Sequence, residues 1–348
     1  MPLTAVDSIS LAFEHTKQQL FRPFRFGQWT RLAVVGLFAG EMGSGSGCHL
    51  NIPTNAPHQR VYLSGFSLFP SVDPALLLPL IVVAVIAVSI FWLLFLYISS
   101  HMRFVLFDSV IAKKCSIRTM WHARQGPALQ YFVWQIAFSL VTLGAIAVIL
   151  GVPALIALTL GWFAEPRAHV PGLILAGALV FFVFFMAMVL AACLYVFTKD
   201  FVVPQMALEG VSAFEGWRRL LPMLEAEKGK YAGYAGMKVV MAIGAGVAIG
   251  IAGLIVLVVL FIPLGGLGLI SVLIGHAAGL TWNASTITLA IVAGCVFLLV
   301  LFYLLSLIAV PAIVFFPAYS IYFFAARYRP LANLIYPPPV PPIATSVG

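Results

Sequence analysis

The chain has 348 residues, of which 62% are hydrophobic and 9% charged, and its mean hydropathy is +1.08. A water-soluble domain of this length needs far more charged surface, which excludes that class. The formal net charge of +8 comes without a basic stripe carrying interleaved aromatics, so nucleic acid is not expected as a partner; anionic lipid headgroups account for it better. No regular apolar–polar alternation of the kind a membrane β-barrel requires is present, which leaves helices as the spanning element.

The N-terminal segment, with Asp7, Glu14 and Lys17, reads as amphipathic and is not a secretory signal. A short apolar run, Leu32 to Gly40, then ends at Glu41 in the sequence EMGSGSGC. Five long apolar segments follow, at about Pro74 to Ile98, Tyr131 to Phe163, Pro171 to Phe197, Val239 to Ile274 and Thr286 to Phe324. Each is long enough to cross a hydrocarbon layer of about 30 Å. In the fourth, a glycine-rich span is expected to end near Pro263 and give way to an apolar loop. In the fifth, Pro311 and Pro317 predict a kinked span followed by an interfacial segment.

Charge placement bears on the short first run. With six crossings and an inner N-terminus, every Lys and Arg except Arg60 and Arg167 falls on the inner side. The expected fold is therefore all-α, with about six transmembrane helices, the first real but short. Both termini are expected in the cytoplasm and the protein in the bacterial cytoplasmic (inner) membrane. Residues 1–329 form one membrane domain on this reading, and 330–348 a proline-rich tail, extended in the polyproline manner at Tyr336-Pro-Pro-Pro-Val-Pro-Pro.

A repeat is present. Ser8 to Phe13 (SISLAF), Ser116 to Trp121 (SIRTMW) and Ser212 to Trp217 (SAFEGW) each place a large aromatic five residues after a serine. The last two also share a lead-in, Phe104-Val-Leu-Phe-Asp and Phe201-Val-Val-Pro-Gln. The architecture expected is three hairpins, each preceded by an amphipathic interfacial helix, with units of about 1–98, 104–197 and 201–327 in parallel orientation. In the third copy Ser212 and Glu215 fit a capping box. Val211, Phe214, Trp217, Leu221 and Leu224 fall on one helical face, while Glu215, Arg218 and Arg219 fall on the other. A helix lying along the inner membrane surface fits that pattern; an ordinary cytoplasmic helix packed on the span ends is the alternative.

The segment Phe201-Val-Val-Pro204-x4-Glu209-Gly210-x-Ser212-x2-Glu215-x-Trp217-Arg218-Arg219 resembles a pattern recurring in a broad group of uncharacterised bacterial six-span membrane proteins. That group includes the membrane domain attached to some glycerophosphodiester phosphodiesterases. The likeness is closest over about forty residues and marks the loop between the fourth and fifth spans. It implies a fold rather than an activity, since this sequence carries no soluble phosphodiesterase domain.

Candidate chemistry is sparse. The five long segments hold polar groups such as Gln135, Ser139, Thr142, Tyr303 and Ser306 but almost no ionisable ones, which speaks against a proton-coupled pump or a haem site. Glu41 reads either as a span-end glutamate touching water or as a buried acid at an outer-facing cavity. Cys48, His49 and His58 cluster without a structural-zinc spacing. His122, beside Trp121, reads as a membrane-surface residue. Gly43-x-Gly45-x-Gly47 puts glycine where a hydrolase nucleophile would stand, and no phosphate-binding Lys-Ser/Thr follows any glycine run. Catalytic, cofactor and metal sites are therefore not expected. The function expected is a non-enzymatic membrane component, a scaffold or accessory subunit whose partners are the bilayer and a membrane complex. The alternative is a permease or lipid-handling protein.

Overall fold

A computed structural model describes residues 4–41, 74–162, 169–277 and 284–336. In chain order its helices are α1 (Asp7–Phe21), α2 (Phe26–Phe38), α3 (Pro74–Ile111), α4 (Ile117–Ala123), α5 (Gln125–Thr159), α6 (Val170–Phe197), a π-helical turn (Thr198–Val202), α7 (Val203–Glu209), α8 (Ala213–Ala226), α9 (Lys228–Ala277), α10 (Ala284–Ala325) and α11 (Arg329–Ile335). No strand is present among the described residues.

Five stretches are long and apolar enough to cross a membrane: Leu78–Ile111, Gln125–Thr159, Val170–Glu209, Lys228–Pro263 and Ser285–Ala325. The expected first span, α2, has 13 residues, a rise of about 20 Å, too short for a hydrocarbon layer of about 30 Å. It buries Leu32, Ala33, Val35 and Gly36, packing against α3 and α10. One expectation is corrected: the fourth spanning stretch does end at Pro263, but α9 continues as helix to Ala277 where a loop was expected. α10 carries Pro311 and Pro317 inside one helix. Prolines inside such helices are tolerated where neighbouring helices, hydroxyl side chains or a local change of helical pitch satisfy the freed carbonyl.

The helices divide sharply along their length. α6 has no buried residue over Val170–Phe197, and α3 has none from Leu78 to Ile98. The most apolar window of each spanning stretch is 0–6% buried within the chain. Below these lengths the same helices enter one apolar core, built from Phe104, Val105 and Leu106 of α3, Phe201 and Val202 of the π turn, Tyr231 and Tyr234 of α9, and Tyr319, Phe323 and Phe324 of α10. The exposed part of α3, Leu78 to Tyr97, rises about 30 Å, one hydrocarbon thickness. The core therefore begins where the lipid-crossing length ends.

α1 lies across this core and completes the end of α3. The last carbonyls of a helix lack intrahelical partners. Here Gln19 Nε2 donates to the Ser109 carbonyl at 3.0 Å, and His15 Nε2 lies 2.9 Å from the Val110 carbonyl. A carbonyl only accepts, so the neutral ring carries its proton on Nε2, and Nδ1 accepts from the Tyr322 hydroxyl at 3.0 Å. Burial, reinforced by the Lys113 charge, pushes the His15 pKa below its ordinary value.

The repeated Ser–aromatic pattern meets the core in related ways. Ser116 and Ser212 are the N-caps of α4 and α8. Ser8 lies inside α1, and the reciprocal cap there is formed by Thr4 and Asp7. Trp121 stacks on His101 with ring centroids 4.4 Å apart, and Trp217 Nε1 donates to Thr198 Oγ1 at 3.0 Å. His101 and Thr198 each lie three residues before the first phenylalanine of the shared lead-in, Phe104 or Phe201, both fully buried.

Candidate functional site: a buried charge cluster

α2 ends in a Schellman motif. Gly40 adopts φ +74°, its N–H bonds the Leu37 carbonyl, and the Glu41 N–H bonds the Gly36 carbonyl. This turn drives Glu41 back into the core, where it is 4% exposed. Its carboxylate receives Arg103 Nη1 at 2.5 Å and Lys199 Nζ at 2.5 Å. Arg103 also donates through Nη2 to the Ala39 carbonyl, one of the orphan acceptors at the end of α2, and to the Tyr195 hydroxyl at 3.0 Å. A guanidinium suits this task because its planar fork reaches a carboxylate and a helix C-terminus together.

A second ion pair lies alongside. Asp200 Oδ2 accepts from Lys238 Nζ and, at 2.9 Å, from the Tyr234 hydroxyl. All five ionisable groups are buried: Arg103 at 3%, Lys199 at 8%, Asp200 at 2% and Lys238 at 7% exposure, besides Glu41. Three cations thus face two carboxylates. A cavity of about 30 Å³ opens beside them, lined by Glu41, Arg103, Lys199 and Asp200 and closed by α7 and α10 residues including Pro204, Pro317 and Ser320. It lies where α3, the π turn with α7, and α10 converge.

Lys199 and Asp200 owe their position to the π turn Thr198–Val202. Pro204 follows it and has no N–H to donate, and the extra residue in the turn avoids the clash that proline makes in a regular helix. Such π segments are common at functional positions.

The expectation of Glu41 as a span-end acid touching water is corrected, since it is buried and doubly paired. A small cavity does lie beside Glu41, where its carboxylate meets Lys199 and Arg103, the latter eight residues from the end of α3. The long apolar segments hold none of these groups, but their helices continue beyond them into the core and carry Arg103, Lys199, Asp200 and Lys238 there.

The first residues of the Phe201–Arg219 motif lie in the core, with Pro204 lining the cavity, while Glu209, Ser212, Glu215, Arg218 and Arg219 lie at its rim, away from the cluster. Ser212 Oγ accepts from the Glu215 N–H at 3.3 Å, the cap expected. Glu215 pairs with Arg218 and Arg219, each at 3.0 Å, and Glu209 with Arg219. The packed face of α8 is Ala213, Gly216 and Leu220, with Gly216 pressed on Val202: a Cβ there would lie 2.6 Å from Val202 Cγ1. Phe214 and Leu221 point away from the core and are 74% and 50% exposed, an apolar edge suited to a membrane surface. Cys48, His49, His58 and Gly43 to Gly47 lie outside the described residues. No group of three or more potential metal ligands occurs among the described residues.

A second, apolar cavity of about 350 Å³ lies between α1, α9 and α10, lined among others by Phe13, Thr16, Met241, Pro311 and Phe315. No curated protein and no solved structure matches the chain. A family model matches residues 3–334, and the chain belongs to that family, DUF7544, a family of unknown function.

Proposed function

We propose that the chain is a non-enzymatic component of a membrane complex, a scaffold or accessory subunit whose spanning helices complete their packing against helices of a partner membrane protein. One observation carries this reading: the most apolar window of each spanning stretch is 0–6% buried within the chain. Over a membrane's thickness α3 presents almost its whole circumference, and α6 half-buries a single stripe, Leu173, Ala176, Val180, Phe184, Ala187 and Ala191, with no residue fully buried, whereas helices in a self-sufficient bundle bury at least one face on one another. The packed part of the described molecule is the core at one end, which also holds the buried ion pairs.

The sorting of Lys and Arg supports six crossings as three hairpins, with α2 in the first. It also supports cytoplasmic termini and placement in a bacterial inner membrane. The resemblance of the Phe201–Arg219 motif to the membrane domain attached to some glycerophosphodiester phosphodiesterases fits a membrane-domain role without hydrolysis.

Extraction in mild detergent or nanodiscs, followed by mass spectrometry of everything retained, tests the proposal. A protein partner at stoichiometric amounts is the expected result; a monomer carrying only lipid overturns it. A second reading, a permease or lipid-handling protein, draws on a different observation, the five buried charges beside a cavity at the foot of the spans. Ionisable groups withdrawn from water at this depth are often kept for transport. Uptake of a charged solute, or lipid exchange, by reconstituted vesicles favours this reading over the first.

A further inference from the structure

We propose that the cavity beside Arg103 and Lys199 is a binding site for one small monovalent anion, of about the size of chloride. Three observations converge on it. The first is charge. Asp200 is matched by Lys238, and Glu41 is shared between Arg103 and Lys199. The excess positive charge therefore falls on the Arg103–Lys199 pair, and both of these residues line the cavity while Lys238 does not. An unbalanced charge in a low-dielectric interior is costly, and one bound anion neutralises it.

The second is an unmet donor. Arg103 Nε is buried with no hydrogen-bond partner, although its two terminal nitrogens are engaged. Lys199 Nζ has Glu41 Oε2 as its one acceptor among the described residues, and an ammonium has three N–H groups to give. Donors are in surplus at this point and an acceptor is missing. The third is size. About 30 Å³ admits a single atom or a very small group. A lipid phosphate or a carboxylate metabolite is too large.

A bound water would satisfy the donors without correcting the charge. A neutral Lys199 or Lys238 would correct the charge without any ligand. The experiment separates these. The full chain in phosphatidylcholine nanodiscs is heated in sodium chloride, sodium bromide or sodium gluconate at constant ionic strength. The expected result is a saturable rise in melting temperature with chloride and bromide but not gluconate, roughly 5 °C at a hundredfold excess over the dissociation constant.

Lys199→Met leaves Arg103 and Glu41 matched one to one, and should abolish the halide effect. Glu41→Gln leaves two positive charges in excess, and should increase it. Should either variant fail to fold, ³⁵Cl NMR line broadening by the wild-type protein, competed by bromide, reads the same site directly. Equal melting temperatures in chloride and gluconate with no line broadening, or a halide effect that survives Lys199→Met, overturns the proposal.

Discussion

Glu41 and Arg103, 62 residues apart in sequence, meet at 2.5 Å with their side chains 2% and 3% exposed. The contact ties the end of the 13-residue helix α2 to the packed end of α3, one of the helices long and apolar enough to cross a membrane. It also sets the energetics of the core. A buried pair adds little net stability relative to apolar residues of the same shape, but losing one member strands the other.

Glu41→Ala is therefore expected to destabilise the core by about 3–5 kcal/mol, because Arg103 and Lys199 are left facing each other without a carboxylate. Adding Lys199→Met to Glu41→Ala should recover part of that loss. Thermal unfolding of the single and double variants in one lipid composition checks the coupling. Strictly additive losses would contradict it.

The closeness of α2 and α10 makes a second prediction. A Cβ on Gly36 would lie 2.4 Å from Ile313 Cγ2, with two further Ile313 side-chain atoms within 2.8 Å, and Ile313 is 1% exposed. Gly36→Ala should cost about 1–3 kcal/mol through overpacking. Ile313→Ala in the same chain should relieve most of the clash, read as recovery of the melting temperature above that of Gly36→Ala alone.

His15 gives a pH dependence. Its folded pKa is lowered by burial and by Lys113, so the native state holds the neutral ring. Its contribution to stability is complete above the unfolded value of about 6.5 and is lost as pH falls from there through the folded value. The protection factors of α1 amides, which take out the intrinsic pH dependence of exchange, should fall below about pH 6.5 while those in α5 do not. His15→Gln should flatten that dependence. An α1 exchange profile that is unchanged by the substitution would sink the assignment.

The motif at α8 separates exposed from packed members. Arg218, whose side chain is 80% exposed, should tolerate Ala at a cost below about 0.5 kcal/mol. Trp217→Phe loses the hydrogen bond to Thr198 and should cost about 1 kcal/mol. Equal effects from the two substitutions would contradict the packing described for α8.

Hydropathy alone locates the five long apolar segments, because a lipid-crossing helix must be apolar over about 20 residues. The Ser212 cap and the outward apolar edge of α8 were legible too, since both are local. The charge cluster was not. Arg103, Lys199 and Lys238 resemble the loop cations that orient any membrane protein, and long-range pairing leaves no local trace. One signal was available. Lys199-Asp200 stands between the apolar runs that end at Phe197 and resume at Phe201, with no Gly, Asn or Pro to break the helix. Arg103 is likewise flanked by Met102 and Phe104. Ionisable residues embedded in an uninterrupted helix need partners inside the protein. The packing of α2 was not legible either: charge sorting counts crossings, but it carries no trace of which neighbours a short helix packs on.

The most direct test of the membrane-component reading is site-specific photo-crosslinking from the bare spans. A photoreactive phenylalanine analogue replaces Phe91 in α3 or Phe181 in α6, each 69% exposed, and cells are irradiated before extraction. The account predicts, from both positions, an adduct with one and the same second protein. Adducts with lipid alone, or only with another copy of this chain, would contradict it.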